Sequence, residues 1–541
     1  MRIRRSAIAG VALAAVASLT LAACGGGDDG DGGSAGSDSV ITAYGTEPQK
    51  PLITTDTNEV GGGNIIDLLY AGLVSYDAEG KMQNEVAESI ESEDDKVWTI
   101  KLKDWNFTDG TPVTAESFVK AWTYAADPAN AQLQAYFMYP FAGTTEEGTL
   151  VEGAKTLEGA KAVDEKTIEV TLKEAEPEFP LRLGYSAYYP LPEAAFGSDG
   201  KVTKEFGEQP IGNGPYTLES WEHEVEAKLV PNDEYKGNRE PKNGGVTFKF
   251  YTDPESAYSD LQGGNLDVME AVPPSALSSF ESDDSIQAFT GNGANFASIT
   301  IPERLEHWSG EEGKLRRAAI SKAINREEIT EKIFEGSRVP AEDFATSLFP
   351  GYTKDIPGNE VLDFDAAEAK KLWAEADAIS KFDGAFTLAY NGDGPGNKEW
   401  VEAVVNQVGT NLGIEAKPKA YATFKELREL VTNREIKTAF RTGWQADYPS
   451  IYNYLGPLYG TGAGSNDGDY SNPEVDKLLG EALSSKGDEQ AKKLAQVQEI
   501  LFKDLPAIPL WNQSIAGAAA DGVNGVVFSW QGKPEYHLVS K

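Results

Sequence analysis

The sequence predicts an α/β protein with mixed sheets. Three observations lead there. Residues 97–103 (Val-Trp-Thr-Ile-Lys-Leu-Lys) alternate apolar and polar with period two, as a half-buried strand does. Capped helical stretches are interleaved with strands along the whole chain rather than segregated from them. And 541 residues can bury a large core, in several lobes rather than one.

The chain opens with Arg2, Arg4 and Arg5, then an apolar stretch over 7–20 that is too short to span a bilayer comfortably. Leu21-Ala22-Ala23 then precede Cys24, the single cysteine. That order is the plan of a secretory signal peptide. The cysteine's position resembles the lipobox of bacterial lipoproteins, in which the thiol is lipidated and becomes the first residue of the mature chain. Residues 1–23 are therefore expected to be a signal peptide and 24–39 a lipidated flexible tether. The protein would sit outside the cytoplasm, anchored to the cell membrane by a lipid on Cys24. Residues 25–39 hold seven glycines, four aspartates and three serines, which bury nothing and cannot offset their ordering entropy. Such a tether reaches roughly 20 Å.

Next, 40–44 reads as a strand. Thr108-Asp109-Gly110-Thr111 is a turn. Thr114 caps a helix over 115–126 that places Phe118, Val119 and Trp122 on one face. Strands are expected over 167–172, 245–251 and 385–390. Helices are expected over 315–324, 366–376, 399–411, 424–433, 473–483 and 488–502. Another begins at the Asn325 cap and ends at Gly336. No second low-complexity linker interrupts the chain, so its lobes are expected to be built from non-contiguous segments.

With 48 Lys+Arg against 86 Asp+Glu, the formal charge is −38, and loss of the leader removes three more arginines and no acid. Such a surface repels phosphate backbones, which excludes nucleic acid as a partner. The three histidines, His223, His307 and His537, are far apart and carry no metal-ligand spacing, so no metal and no cofactor is expected. No nucleophile elbow, phosphate loop or H-E-x-x-H helix occurs. Asn466-Asp467-Gly468-Asp469 lacks the alternation and terminal Glu of a calcium loop and reads as an ordinary polar loop. A carboxylate pair of the glycosidase kind cannot be selected from so many acids. An enzyme therefore gains no positive support, and none is expected.

Trp105-Asn106-Phe107-Thr108-Asp109-Gly110-Thr111-Pro112-Val113-Thr114-Ala115-Glu116-Ser117-Phe118 resembles the signature of extracytoplasmic solute-binding proteins of family 5, which serve peptide and nickel ABC transporters. Further matches follow in the family's order. They are Gly212-Asn213-Gly214-Pro215-Tyr216, Leu315-Arg316-Arg317-Ala318-Ala319 with Ala323-Ile324-Asn325-Arg326, and Gly443-Trp444-Gln445-Ala446-Asp447-Tyr448. The resemblance covers essentially the whole mature chain and is closest to oligopeptide-binding members. It implies a two-lobed periplasmic-binding-protein-like fold (type II), with a hinge and an extra subdomain. Lobe I would comprise 40–70, 210–294 and 514–541, with 71–209 inserted in it, and lobe II would be 295–513.

The implied function is a monomeric receptor that traps an oligopeptide between its lobes and delivers it to the permease subunits of an ABC importer. An α-ammonium buried in a closed cleft needs a carboxylate. The family's oligopeptide members supply the aspartate of G-W-x-A-D-Y, here Asp447. Trp444, Gln445 and Tyr448 would line the same wall, and Arg441 matches a cleft arginine. Glu59, Val60 and Gly61 fall where those members pair with the peptide backbone, though this sequence departs there with three successive glycines. Phe424 and Trp511 fall near cleft aromatics. The alternatives left open are an oligosaccharide or metal chelate in the same fold, a peptide-signal sensor, or an extracellular enzyme.

Overall fold

The computed structural model describes residues 39–541. The signal peptide, Cys24 and all of the tether except Ser39 lie outside the described residues.

Seventeen strands are numbered in chain order. A short interior strand of the large sheet comes first, β1 (Ile41–Gly45), followed by the hairpin pair β2 (Val74–Tyr76) and β3 (Met82–Asn84). Then come β4 (Ala87–Ser92), β5 (Val97–Leu102), β6 (Ala160–Asp164) and β7 (Thr167–Thr171). The chain continues through β8 (Tyr216–Glu222), β9 (Glu226–Pro231), β10 (Val246–Phe250), β11 (Val268–Met269) and β12 (Ile286–Thr300). The last five are β13 (Arg338–Pro340), β14 (Phe386–Asn391), β15 (Ala416–Tyr421), β16 (Ala439–Gln445) and β17 (Ala507–Ala520).

Eleven of them form one mixed sheet, in the order β15-β14-β16-β12-β17-β11-β1-β10-β9-β8, with β13 added to β17. β4-β5-β7-β6 form a separate four-stranded sheet. Its strand β5 alternates exposed and buried along its length, as its period-two pattern requires.

The spine of the large sheet is the antiparallel pair β12–β17, from Ile286↔Ala520 to Thr300↔Ala507. Its register shifts between Asn292 and Asn295, where a bulge leaves Asn295 opposite Gln513. Two apolar cores flank this spine. One gathers residues from β12, β16, β17 and the helices around them. The other gathers β1, the helix Val60–Leu69 and the four-stranded sheet.

The sequence motifs form joints between these parts. Arg316, fully buried, lies over the rings of Trp373 and Phe382 and pairs with Glu312 and Asp377. Arg326 donates to the carbonyls of Pro509, on β17, and Leu362, tying its helix to the spine. The turn at 212–216 locks the end of the helix Val60–Leu69. A Cβ at Gly212 would lie 1.9 Å from the Leu69 carbonyl oxygen, so only glycine fits. The Asn213 side chain both accepts from Ala71 N–H, at 3.0 Å, and donates to Ala71 C=O, at 2.9 Å. Trp105 Nε1 donates to the Asn213 carbonyl at 2.9 Å, and Thr108 N–H to Gly212 C=O at 2.8 Å. Two motifs far apart in sequence are therefore one joint.

Asn213→Ala would orphan two fully buried backbone groups at once. Each costs about 1–3 kcal/mol. A guanidinium titration should show a loss of roughly 2–4 kcal/mol. An unchanged midpoint would mean that the glycines alone hold the turn.

Candidate functional site

A cavity of about 420 Å³ lies against the face of β16 and β12. That size suits a small extended ligand. Its wall includes Glu59, Val60, Gly61, Phe424, Arg441, Trp444, Gln445 and Asp447. Tyr448 and Trp511 are not in the wall. Tyr448 is buried in the core on the β1 side, with the guanidinium of Arg182 over its ring. Trp511 is fully buried on β17, packed against Phe334 and Trp400. The alternation of a strand sends a residue on β17 to one face or the other, and sequence proximity to a motif cannot tell which.

β16 is the element that organises the wall. Along Arg441–Gln445 it pairs with β12 on one side, from Ile299↔Arg441 to Asn295↔Gln445. On its other side β14 pairs only with Ala439 and Phe440. Arg441 to Gln445 therefore present an unpaired strand edge, and all five line the cavity. Gly443 has no side chain to cover that edge. A five-residue strand rises about 13 Å, the length of a short extended chain.

The ends of this edge carry opposite charges. Asp447, just past its C-terminal end, is 8% exposed. Its Oδ2 accepts from Asn453 Nδ2 at 2.8 Å, and its own N–H donates to Asn453 Oδ1 at 2.8 Å. Among the described residues no Lys, Arg or His lies within ion-pair distance of it. Burial pushes its carboxyl up to about 7, against the bonds from Asn453 and Tyr185. At the other end, Arg441 makes one side-chain hydrogen bond, Nη1 to Asn391 Oδ1 at 3.2 Å. Burial brings its guanidinium down to about 10, offset only by the charge of Asp393. Between the two, Trp444 is half-buried and donates its Nε1–H to Asn453, while Gln445 donates to the Gln531 carbonyl at 2.9 Å.

The 58–61 segment differs from its expected role. Glu59 is extended, but the helix begins at Val60, and the Glu59 carboxylate caps it by accepting from Gly62 N–H at 2.9 Å. Burial raises this carboxyl too, to about 7, against its backbone donors. Glu59 thus shapes the wall as a helix cap, and no strand pairs there. Phe424 is fixed at the rim by its N–H, which donates to Asp393 Oδ2 at 2.9 Å.

Several other charges in the wall are paired. Lys533 pairs with Asp67 at 2.5 Å, and Arg428 grips Asp467 with both Nη atoms at 2.6 and 2.8 Å. Arg434 also reaches Asp467, and Arg304 holds Asp469. The Asn466–Asp469 loop is thus occupied by arginines rather than built for a cation. No cluster of metal-ligating side chains occurs among the described residues. Tyr44, on β1, donates its hydroxyl to the Asp393 carbonyl at 3.0 Å, joining the wall's two sides. Sequence reasoning missed Arg338, which also lines the cavity. It stands in Ser337-Arg338-Val339, a stretch with no motif to mark it.

Comparison with known proteins decides the family. Residues 81–466 match the pattern of bacterial extracellular solute-binding proteins, family 5 middle, well over half of the chain. The chain belongs to this family. It is 24% identical to the oligopeptide-binding protein OppA of Bacillus subtilis over 545 residues, covering 97% of each. A crystal structure of Haemophilus influenzae OppA in complex with the peptide RPPGFSPFR has the same two-lobed fold, with a TM-score of 0.81 at 23% identity, over 93% of this chain and 98% of that one. The unliganded open form of the murein tripeptide-binding protein MppA gives a lower TM-score, 0.62, at 23% identity over 93% and 97%. No described helix is long and apolar enough to cross a membrane.

The raised carboxyls make a stability prediction for the empty protein. An acid whose folded pKa lies above its unfolded value stays protonated in the fold where the unfolded chain has already ionised, so stability falls as pH rises through that window. For Asp447 the window runs from its ordinary value of 3.8 to about 7. Wild type should lose stability relative to Asp447→Asn by up to about 1.4 kcal/mol per pH unit in that range. Urea titrations of both proteins at pH 4.5, 5.5 and 6.5 check this. A constant difference would mean that Asp447 is ionised throughout.

Proposed function

We propose that this chain is an extracytoplasmic, lipid-anchored receptor that binds oligopeptides in its cavity and delivers them to an ABC importer, without catalysing a reaction. The observation that carries the reading is the unpaired edge of β16 between Arg441 and Asp447. An extended peptide adds to such an edge through its main chain, which gives affinity without reading side chains. Its α-ammonium would meet Asp447, a buried carboxylate with no cation of its own just past the end of that edge. Its α-carboxylate would meet Arg441, and Trp444 would pack against the chain between. The likeness to the oligopeptide-binding protein OppA of Bacillus subtilis and the peptide in the H. influenzae complex support the same ligand class.

In this reading 40–70, 210–294 and 514–541 form lobe I, with 71–209 inserted, and 295–513 form lobe II. β12 and β17 then carry both crossings between lobes, with the bulge at Asn295 as the flexing point. A ligand enclosed at both ends cannot load while the cavity is shut, so an open state must be populated. Membrane attachment would come from the lipid on Cys24, and the receptor would act as a monomer at the permease.

Calorimetry with a mixed set of tri- to pentapeptides tests the function, and heat only from cello- or chito-oligosaccharides would replace it. Removing one partner of a buried pair costs about 3–5 kcal/mol, roughly two to four decades in affinity. Asp447→Asn should weaken free peptides by that factor. N-acetylated peptides, which lack the cation, should bind wild type poorly and lose far less on mutation. Equal losses would make Asp447 a structural residue only.

The anchor has its own test. Cys24→Ser should leave an unprocessed precursor or release the mature protein to the medium. Unchanged mass and detergent partitioning in that variant would remove the lipid from the proposal.

A further inference from the structure

One charge in the cavity has no part in the reading above. Arg338 opens β13, which is held to β17 by the pairing Arg338↔Gln513. Its backbone is therefore fixed at the cavity wall. Its guanidinium lies over the Phe334 ring, 3.6 Å from the centroid, and within 5.7 Å of the Trp511 ring. Both rings are buried and packed on each other, with centroids 5.4 Å apart. They form a rigid apolar floor beneath the cation. A planar guanidinium stacked in this way keeps its N–H donors in its own plane, pointing away from the ring.

Those donors are unspent. Among the described residues Arg338 has no hydrogen-bonding side-chain partner and no ion pair, while every other arginine and lysine in the wall has at least one polar partner. Water reaches it only in part, since the residue is half-buried. The charge that acts on it is Arg441, of the same sign, and burial together with that charge brings its guanidinium down to about 9. Two like charges held beside each other in a closed cavity are a standing cost. Asp393 offsets Arg441 in part, whereas no acid acts on Arg338, and one α-carboxylate offers a bidentate face to only one of the two.

We propose that Arg338 is a second anion subsite, taking a carboxylate side chain on the residue at the ligand's C-terminal end while Arg441 takes the α-carboxylate. The site then selects acidic peptides. This rests on the peptide reading above and narrows its ligand class. Its physical basis is a guanidinium that stands over an aromatic floor in the cavity wall without a hydrogen-bond or ion-pair partner of its own.

The test uses alanine tri-, tetra- and pentapeptides ending in Glu or in Gln, titrated by calorimetry into the mature protein. Wild type should bind the Glu member of the preferred length about tenfold or more tightly than its Gln partner. Arg338→Gln should abolish that preference while leaving the Gln peptide within about twofold. Arg338→Lys keeps the charge but loses the planar fork and the stacking, so it should retain part of the preference. Circular dichroism confirms that each variant is folded. Equal affinity of wild type for Glu and Gln peptides overturns the subsite. So does a preference that survives Arg338→Gln. A loss that falls equally on both peptides also overturns it, since Arg338 would then be reading the α-carboxylate. If no peptide of any composition binds wild type, the peptide reading itself fails and the subsite fails with it.

Discussion

The long antiparallel ladder between β12 and β17 is the constraint on which the rest depends. On one side it carries β16, whose outer edge lines the cavity. On the other it carries β11 and β1, and through them the strands that complete the sheet. β13, with Arg338, is added to the same strand. Arg326 reaches it from the helical layer by donating to Pro509. A shift of one residue in its register would turn every side chain to the opposite face and empty the wall of its charges. The ladder gives way twice, before Asn295 and between Ala297 and Ser298, and the first break lies where β12 passes beside Gln445.

The electrostatics show two distinct uses of buried charge. In the scaffold, Arg316 and Arg326 are hydrogen-bonded through all three side-chain nitrogens, and their motifs act as joints. In the cavity, Asp447, Arg441 and Arg338 are left short of opposite charge. That arrangement costs the empty protein stability and returns it when a ligand supplies the missing ions. The acid and Arg441 stand at opposite ends of one strand edge, so the two ends of a zwitterionic extended chain answer both, and Arg338 on β13 is left for a second carboxylate. A neutral sugar would answer none of them, which is why the charge pattern favours a peptide over the oligosaccharide alternative. The Tyr44 bond to Asp393 holds the wall's two sides together from within.

Local signals in the sequence were reliable where a short stretch decides its own structure. Thr114 caps a helix that runs Ala115–Ala126, and Asn472 caps Pro473–Leu483, both at the expected bounds. The helix after Asn325 ends earlier than expected, at Lys332, because the chain turns there ahead of Gly336 to feed β13. The two longest strands were missed. β12 passes through Gly-Asn-Gly-Ala-Asn, which reads as a loop, and β17 is buried on both faces and shows no period of two. Non-local pairing between them overrides both weak local patterns.

For the site, the motif Gly443 to Tyr448 pointed to the cavity wall, which its residues line up to Asp447 while Tyr448 turns into the core. The sequence by itself determined the family, the capped helices, the extreme negative charge and the presence of a carboxylate suited to an ammonium. Only the tertiary structure decided which charges are paired. Asp67 and Asp467 are as acidic in the sequence as Asp447, yet Lys533 and Arg428 neutralise them from positions far along the chain. Glu59 became a helix cap, Trp511 a core residue, and Arg338 an unpaired cation on an aromatic floor. Ion pairing and burial act over a few ångströms, and which groups come that close is settled by the fold, not by spacing along the chain.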